Sequence, residues 1–338
     1  MHKEILRLLF QRGDFLSGEE ISQKLGVSRA AVWKHIARLK EEGYEIEAVT
    51  RKGYRLVGKP EGLVYGWQLE QELQALDSPL WKRLVFQETL DSTNLEAKRQ
   101  ITDLLGKGED PSGTVVVCEM QTAGRGRRGR SWVSPEGSGI WTSLILRPGI
   151  APAKAPMLTL VAGLAVREAL QSACSLDAWI KWPNDIIVGD RKICGILTEM
   201  TMEDLEMTGV VIGIGINVHH TEFPEELRAV ATSAAMALGD RAPAPDRAAL
   251  LMQVLSSFEA FYKKFLATED LQLLQEEYNQ HCINIGRTVQ VIGPAETWSA
   301  KALGIDAEGG LILTTEDGTT RTVFSGEVTI RGVMGYAR

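Results

Sequence analysis

Between residues 121 and 132 the chain reads Gln121-Thr122-Ala123-Gly124-Arg125-Gly126-Arg127-Arg128-Gly129-Arg130-Ser131-Trp132. Four arginines interleaved with three glycines form neither a helix nor a core strand. Glycine lets backbone approach a ligand closely, and guanidinium groups grip phosphate or carboxylate with two parallel hydrogen bonds. The run reads equally as an anion site, as a solvated basic loop or as a nucleic-acid contact. Two further polar clusters sit between apolar runs. Lys181-Trp182-Pro183-Asn184-Asp185 marks a strand-turn-strand corner, and Asp190-Arg191-Lys192-Ile193-Cys194-Gly195 a turn feeding the next strand. As plain hairpins with surface charge they would carry no chemistry. Gly213-Ile214-Gly215-Ile216-Asn217 starts like a dinucleotide loop, but Val218 stands where the third glycine belongs. No GxxxxGK[ST] run occurs either, so ATP chemistry here needs neither a Rossmann turn nor a P-loop.

Alternating strands and helices must position these clusters. Strand-like runs fall at Val115–Cys118, Ile140–Leu146, Trp179–Lys181, Asp185–Val188 and Val210–Ile214, and helical periodicity at Thr93–Leu104, Ala155–Ala173 and Arg247–Phe265. This pattern predicts a mixed-sheet α/β layer domain over 63–282. From Ile285 the pattern turns to short β runs (Thr288–Ile292, Ser299–Ile305, Leu311–Thr314, Arg321–Val323) separated by Gly-containing turns. These predict a small barrel over 283–338.

The N-terminus has its own logic. Ile5, Leu8 and Leu9 share one face of a helix over His2–Gln11. Ser17 and Glu20 form a capping box for a second helix that Gly26 ends, and Ser28 caps a third in which Val32, Ile36 and Leu39 repeat. Two helices across a short turn are a helix-turn-helix, whose second helix leaves Arg29, Lys34 and Arg38 on polar faces. Strand-like runs Tyr44–Val49 and Gly53–Val57, with the basic tip Thr50-Arg51-Lys52, read as a wing. Ser28, Arg29, Lys34, Arg38, Arg51 and Lys52 are therefore the candidate DNA contacts, against the plainer reading of a three-helix interaction module. Residues 58–62, rich in Gly and Pro, read as a linker closing a first domain at 1–62.

At 338 residues the chain is too long for one core. A net charge of −7 argues against a protein that is mainly a nucleic-acid binder. Residues 1–59 nevertheless carry twelve Lys/Arg against eight Asp/Glu, a basic head on an acidic body. Four scattered cysteines without a CxxC pair predict reduced, buried thiols. With neither a secretory signal nor a long apolar run, they predict a cytoplasmic protein with no membrane partner.

Asp91-Ser92-Thr93-Asn94, GRGRRG at 124–129, KWPND at 181–185, the RK-I-C-G turn at 191–195 and GIGIN at 213–217 occur in one order. In that order they resemble the biotin protein ligases. With the helix-turn-helix and wing, the chain is similar to the bifunctional subgroup, the biotin ligase/biotin operon repressors. The resemblance spans essentially the whole chain. It implies an α+β fold of three domains: a winged helix-turn-helix, a central mixed-sheet catalytic domain of the biotin/lipoate ligase type, and a small SH3-like β-barrel.

The implied reaction makes biotinyl-5′-adenylate from biotin and ATP, with Mg²⁺ as the ATP counterion, and passes biotin to a lysine of a carrier protein such as an acetyl-CoA carboxylase subunit. The adenylate is then also co-repressor, favouring a homodimer on operator DNA. Carried over by motif, Lys192, Arg127 and Arg125 are the catalytic cations. Ser92, Thr93, Asn94, Gln121, Arg125, Gly126, Arg127, Lys192 and Gly195 hold biotin. Trp132, Asn184, Asp185 and Asn217 serve the nucleotide, and no metal ligands are legible. The same resemblance leaves two rivals, a lipoate-type ligase and a biotin-sensing transcription factor without turnover.

Overall fold

The computed structural model describes all residues except 59–61, 63, 294–295, 326–327 and 333–338. It divides into two compact units, 1–63 and 64–338. Residues 59–61 of the expected linker lie outside the described residues.

The first unit runs α1 (His2–Arg12), α2 (Gly18–Leu25), α3 (Arg29–Glu41), β1 (Glu45–Val49) and β2 (Gly53–Gly58). Its capping box is complete: Ser17 Oγ accepts from the Glu20 amide at 3.1 Å, and Glu20 accepts from the Ser17 amide at 3.0 Å. Gly26 is left-handed, as a helix stop requires. Ile5, Leu9, Ile21, Val32, Ile36 and Leu39 close the core. The wing is an antiparallel hairpin tied back to the helices by reciprocal backbone bonds of 2.9 Å between Leu16 and Tyr54. Only glycine fits at residue 53, where φ is 112° and a Cβ would stand 2.2 Å from the Leu16 carbonyl oxygen.

The second unit begins with α4 (Gly66–Ala75), β3 (Arg83–Leu90), α5 (Thr93–Gly106), β4 (Thr114–Gln121) and β5 (Gly139–Leu146). Next come α6 (Leu158–Cys174), β6 (Ala178–Lys181), β7 (Asp185–Val188), β8 (Arg191–Glu203) and β9 (Glu206–Asn217). These seven strands form one sheet in the order β3-β4-β5-β9-β8-β7-β6, parallel only between β3 and β4. Strand alternation divides its faces. Val116, Cys118, Trp141 and Ile145 pack against α5, while Val115, Val117, Ile140 and Leu144 join the larger core on the other side. That larger core includes α6 and α9 (Arg247–Thr268), with the short helices α7 (Glu225–Arg228) and α8 (Ala234–Leu238) between β9 and α9. The 3₁₀ turn Pro152–Met157 with α6 is long and apolar enough to cross a membrane, yet most of it is buried in this core. The expected helix start at Ala155 falls inside that turn, because the ring of Pro156 disfavours α backbone at the residue before it; α6 starts at Leu158.

After α10 (Gln275–His281), β10 (Thr288–Ile292), β11 (Thr297–Ile305), β12 (Leu311–Thr314), β13 (Thr320–Val323) and β14 (Thr329–Gly332) make an antiparallel sheet in the order β13-β12-β11-β10-β14. Its apolar face belongs to the same continuous core as the central sheet. Trp182 pins the join: its indole donates to the Gly309 carbonyl at 3.1 Å and its amide to Asn284 Oδ1 at 2.8 Å.

Candidate active site and nucleic-acid interface

The N-terminal end of α5, the C-terminal end of β4, the glycine-rich loop, β8 and β9 enclose a cavity of about 50 Å³. All nine residues that the family resemblance assigns to biotin line it. Ser92, Thr93 and Asn94 come from the start of α5, Gln121 from β4, Arg125, Gly126 and Arg127 from the loop, and Lys192 and Gly195 from β8. Trp132 and Asn184 line it too. Asp185 does not, although it contacts Lys192. Asn217 stands apart: it is buried, and its amide donates to the Thr232 carbonyl at 3.0 Å, tying the end of β9 to the loop before α8. A larger cleft of about 790 Å³ adjoins, sharing Arg127, Asn184, Ile196 and Leu197 and reaching Phe324 and Ser325.

The glycines of GIGIN have a different purpose from the dinucleotide turn they mimic. They lie inside β9, where a Cβ on Gly215 would stand 2.6 Å from the Trp132 indole nitrogen and one on Gly213 only 2.2 Å from Asn94 Oδ1. Gly195, paired with Gly215 across β8, would meet both Lys192 Nζ and Trp132 at 2.9 Å. These three glycines clear the sheet surface so that Trp132 and Asn94 can lie on it. Trp132 also meets Trp141 edge-on at 6.4 Å between centroids.

Cations gather at one end. Lys192 Nζ lies 2.6 Å from Asp185 Oδ1 and 5.1 Å from the centre of the Trp132 ring. Lys181, buried, lies 3.9 Å from Asp185 Oδ2; burial pushes its pKa down to about 8, outweighing the carboxylate beside it. Arg127 donates from Nη1 to Asn184 Oδ1 at 2.7 Å and from Nη2 to the Ser325 carbonyl. Burial lowers its pKa, but a guanidinium remains charged at any ordinary pH. Asn184 in turn donates to the Ile196 carbonyl at 3.1 Å. The sequence reading missed Lys181, Thr142, Ile196 and Leu197 as neighbours of this site. The four cysteines are free thiols, and burial pushes Cys194, between Lys192 and Gly195 in β8, far from reactivity. Among the described residues no group of three or more His, Cys, Asp or Glu side chains could hold a metal ion.

On the first unit, Ser28 Oγ accepts from the Ala31 amide at 3.2 Å, so its oxygen is used as a helix cap. Arg29 and Arg38 stand exposed in ion pairs with Glu19 (3.4 Å) and Glu42 (3.0 Å). Such surface pairs are worth little and exchange readily for phosphate. Lys34 is exposed on α3. Arg51 is left-handed at the wing tip, φ 68°, and the neighbouring Lys52 ammonium lies 5.7 Å from the Phe15 ring centre. Trp33, 65% exposed on α3, was not among the expected contacts.

Three family models match the chain in order: HTH domain over 2–55, Biotin/lipoate A/B protein ligase family over 88–217, and Biotin protein ligase C terminal domain over 285–331. Among curated relatives, the chain is 41% identical to the bifunctional ligase/repressor BirA of Bacillus spizizenii, over 97% of this chain and 98% of that protein. It is 34% identical to the bifunctional ligase/repressor BirA of Escherichia coli, over 96% and 95% of the two. Among solved structures, the biotin protein ligase from Aquifex aeolicus in complex with biotin and ATP is similar with a TM-score of 0.64 at 30% identity, covering 75% of this chain and all of that one.

Proposed function

This chain belongs to the bifunctional biotin protein ligase/repressor family, and from that premise we propose how its own residues carry the activity. It is an ATP-dependent biotin–[acetyl-CoA-carboxylase] ligase and a DNA-binding repressor of the biotin operon. Its substrates are biotin, ATP and a carrier protein. The observation that carries the assignment of site residues is the meeting, around one cavity, of side chains from five separated motifs, with cations concentrated at the Lys192–Arg127 end.

In this reading the biotin head lies against Ser92, Thr93, Asn94 and Gln121, and its carboxylate points to Lys192 and Arg127. The carboxylate oxygen attacks the α-phosphorus of ATP, and pyrophosphate leaves. Two anions must approach, so fixed cations stabilise the transition state more than the separated reactants. Mg²⁺ arrives as the counterion of the ATP phosphates. Trp132 packs on adenine, and Asn184 and Asp185 orient the nucleotide side by holding Arg127 and Lys192. Asn217 serves that side through the backbone it anchors. The carrier lysine, as the free amine, then attacks the mixed-anhydride carbonyl; an amide forms and AMP leaves. Arg125 and Arg127, on a loop rich in glycine, keep the anhydride from water meanwhile.

The adenylate is also the signal. We propose a cytoplasmic protein with functional segments 1–62, 63–282 and 283–338, whose adenylate-bound form dimerises and places two helix-turn-helix units on operator DNA. Ser28, Arg29, Lys34, Arg38, Arg51 and Lys52 form the DNA-facing set, with Ser28 acting through its cap.

Incubation with biotin, MgATP and a carrier domain tests the reading. The expected product is one biotin on the carrier lysine, seen as the mass increase and dependent on ATP. Biotin-dependent DNA binding without carrier labelling would leave only a sensor, and lipoylation in place of biotinylation would make it a lipoate ligase.

A further inference from the structure

Beneath the cavity the side chains form a chain of hydrogen bonds whose direction is set at one end. Glu199 Oε2 accepts from Asn94 Nδ2 at 2.8 Å, and the Leu197 carbonyl accepts from the same nitrogen at 3.2 Å. Both partners are acceptors, so the amide must turn its NH₂ to them and its oxygen toward β5 and the cavity. Ser143 Oγ lies 2.6 Å from Asn94 Oδ1 and 2.8 Å from Thr93 Oγ1. A hydroxyl has one proton, and Asn94 Oδ1 has none, so Ser143 donates to Asn94 and accepts from Thr93. Gln121 Oε1 is then satisfied by the Thr93 amide at 2.9 Å, and Gln121 Nε2 donates to Ser134 at 2.7 Å. Both Asn94 amide protons and the Ser143 and Thr93 hydroxyl protons are spent inward, and Gln121 Nε2 uses one of its two on Ser134. What Thr93 and Asn94 offer the cavity is lone pairs.

We propose that Glu199 sets this polarity, making the Thr93–Asn94 wall one of acceptors that selects a ligand carrying N–H donors. Glu199 is a positioning residue that determines specificity without touching the ligand. The inference rests on reading this cavity as the biotin pocket, where the cyclic urea supplies two such N–H groups. Burial pushes the Glu199 carboxyl up, but the Lys98 ammonium 2.6 Å away and the Asn94 amide pull it below its ordinary range, so it stays an acceptor. Gly213 completes the device by leaving Asn94 Oδ1 the space it occupies. With an uncharged amide at 199, only the Leu197 carbonyl still fixes the Asn94 NH₂ as firmly. A flip that presents NH₂ to the cavity then no longer costs a charge-assisted bond, and the wall loses part of its single polarity.

Full-length wild type, Glu199→Gln, Glu199→Asp and Ser143→Ala are compared in MgATP-dependent pyrophosphate release, with biotin and with biotin methylated on one ureido nitrogen. Wild type is expected to prefer biotin by more than about 100-fold, as buried polar groups reject an analogue lacking their partner. Glu199→Gln is expected to raise KM for biotin about tenfold, keep kcat and the KM for ATP within about twofold, and cut the preference about tenfold; Glu199→Asp restores it. Ser143→Ala, one link further along, shifts biotin KM in the same direction, which keeps the test decisive if one variant does not fold. Unaltered preference, or equal loss on both ligands, overturns the role of Glu199 while leaving the pocket assignment intact. Failure of wild type to use biotin overturns both.

Discussion

Lys192 and Asp185 face each other at 2.6 Å across adjacent strands, and the carboxylate is itself shared with Lys181 at 3.9 Å. Asp185 therefore holds the ammonium at the cation-rich end of the cavity without neutralising that end, since two lysines and Arg127 surround one carboxylate. Lys192→Ala is expected to slow adenylate formation more than about tenfold, a loss above about 1.4 kcal/mol. Biotin binding should weaken less, because the ammonium meets more negative charge in the transition state than on bound biotin. Single-turnover quench-flow reads the step directly, and an unchanged rate removes Lys192 from the mechanism.

Arg127 bridges the glycine-rich loop to Asn184 in the KWPND corner and to the Ser325 backbone. Its removal frees the loop at both points. Arg127→Gly is expected to let biotinyl-adenylate escape and acylate bystander lysines, seen as biotin on serum albumin above the wild-type level. Equal bystander labelling by the two proteins contradicts retention by the loop.

Local sequence carried the elements that repeat regularly. The capping box at Ser17/Glu20, the Val32-Ile36-Leu39 stripe and β7 at Asp185–Val188 stand where periodicity puts them. β3 was not legible as a strand, because half of it faces solvent and polar residues interrupt its alternation. β8 was legible only as a strand following a turn at 190–195, whereas it already begins at Arg191. The wall of the pocket was legible by motif, but its supports were not. Asn94 depends on Glu199 and Ser143, 105 and 49 positions away, and only the sheet register brings them together. At GIGIN the sequence excludes a dinucleotide turn but does not show what the glycines are for, which is to clear space for Trp132 and Asn94 on a strand.

Lys181 gives a pH signature. Its pKa falls from the unfolded value of about 10.4 to about 8, so between these values the unfolded chain binds the extra proton. Stability from this group is complete above about pH 10.4 and is lost as pH falls through about 8. Relative to Lys181→Met, which keeps the volume without the charge, wild type should gain stability as pH rises from 8 to 10. Urea midpoints at the two pH values measure the difference, and parallel pH profiles for the two proteins contradict it.

The last prediction joins ligand to DNA. One helix-turn-helix reads one half-site, so a single basic head of twelve Lys/Arg against eight Asp/Glu over 1–59 should bind an operator weakly, and a two-fold pair should bind it well. In the proposed switch the arginine loop is the coupling element: three glycines give it entropy to lose, and an adenylate gripped by Arg125 and Arg127 is expected to offset that loss. The protein without ligand is therefore expected to be monomeric or weakly dimeric, with dimerisation tightening on addition of biotin and MgATP and operator affinity rising with it. A chain starting near Leu63 should keep ligase activity, since residues 64–338 form a compact unit by themselves, and should lose DNA binding. Sedimentation velocity with and without ligands, beside a DNA-shift titration on the promoter of the organism's biotin genes, measures both halves. Dimerisation indifferent to ligand, with unchanged DNA affinity, would leave the ligase standing and remove the switch.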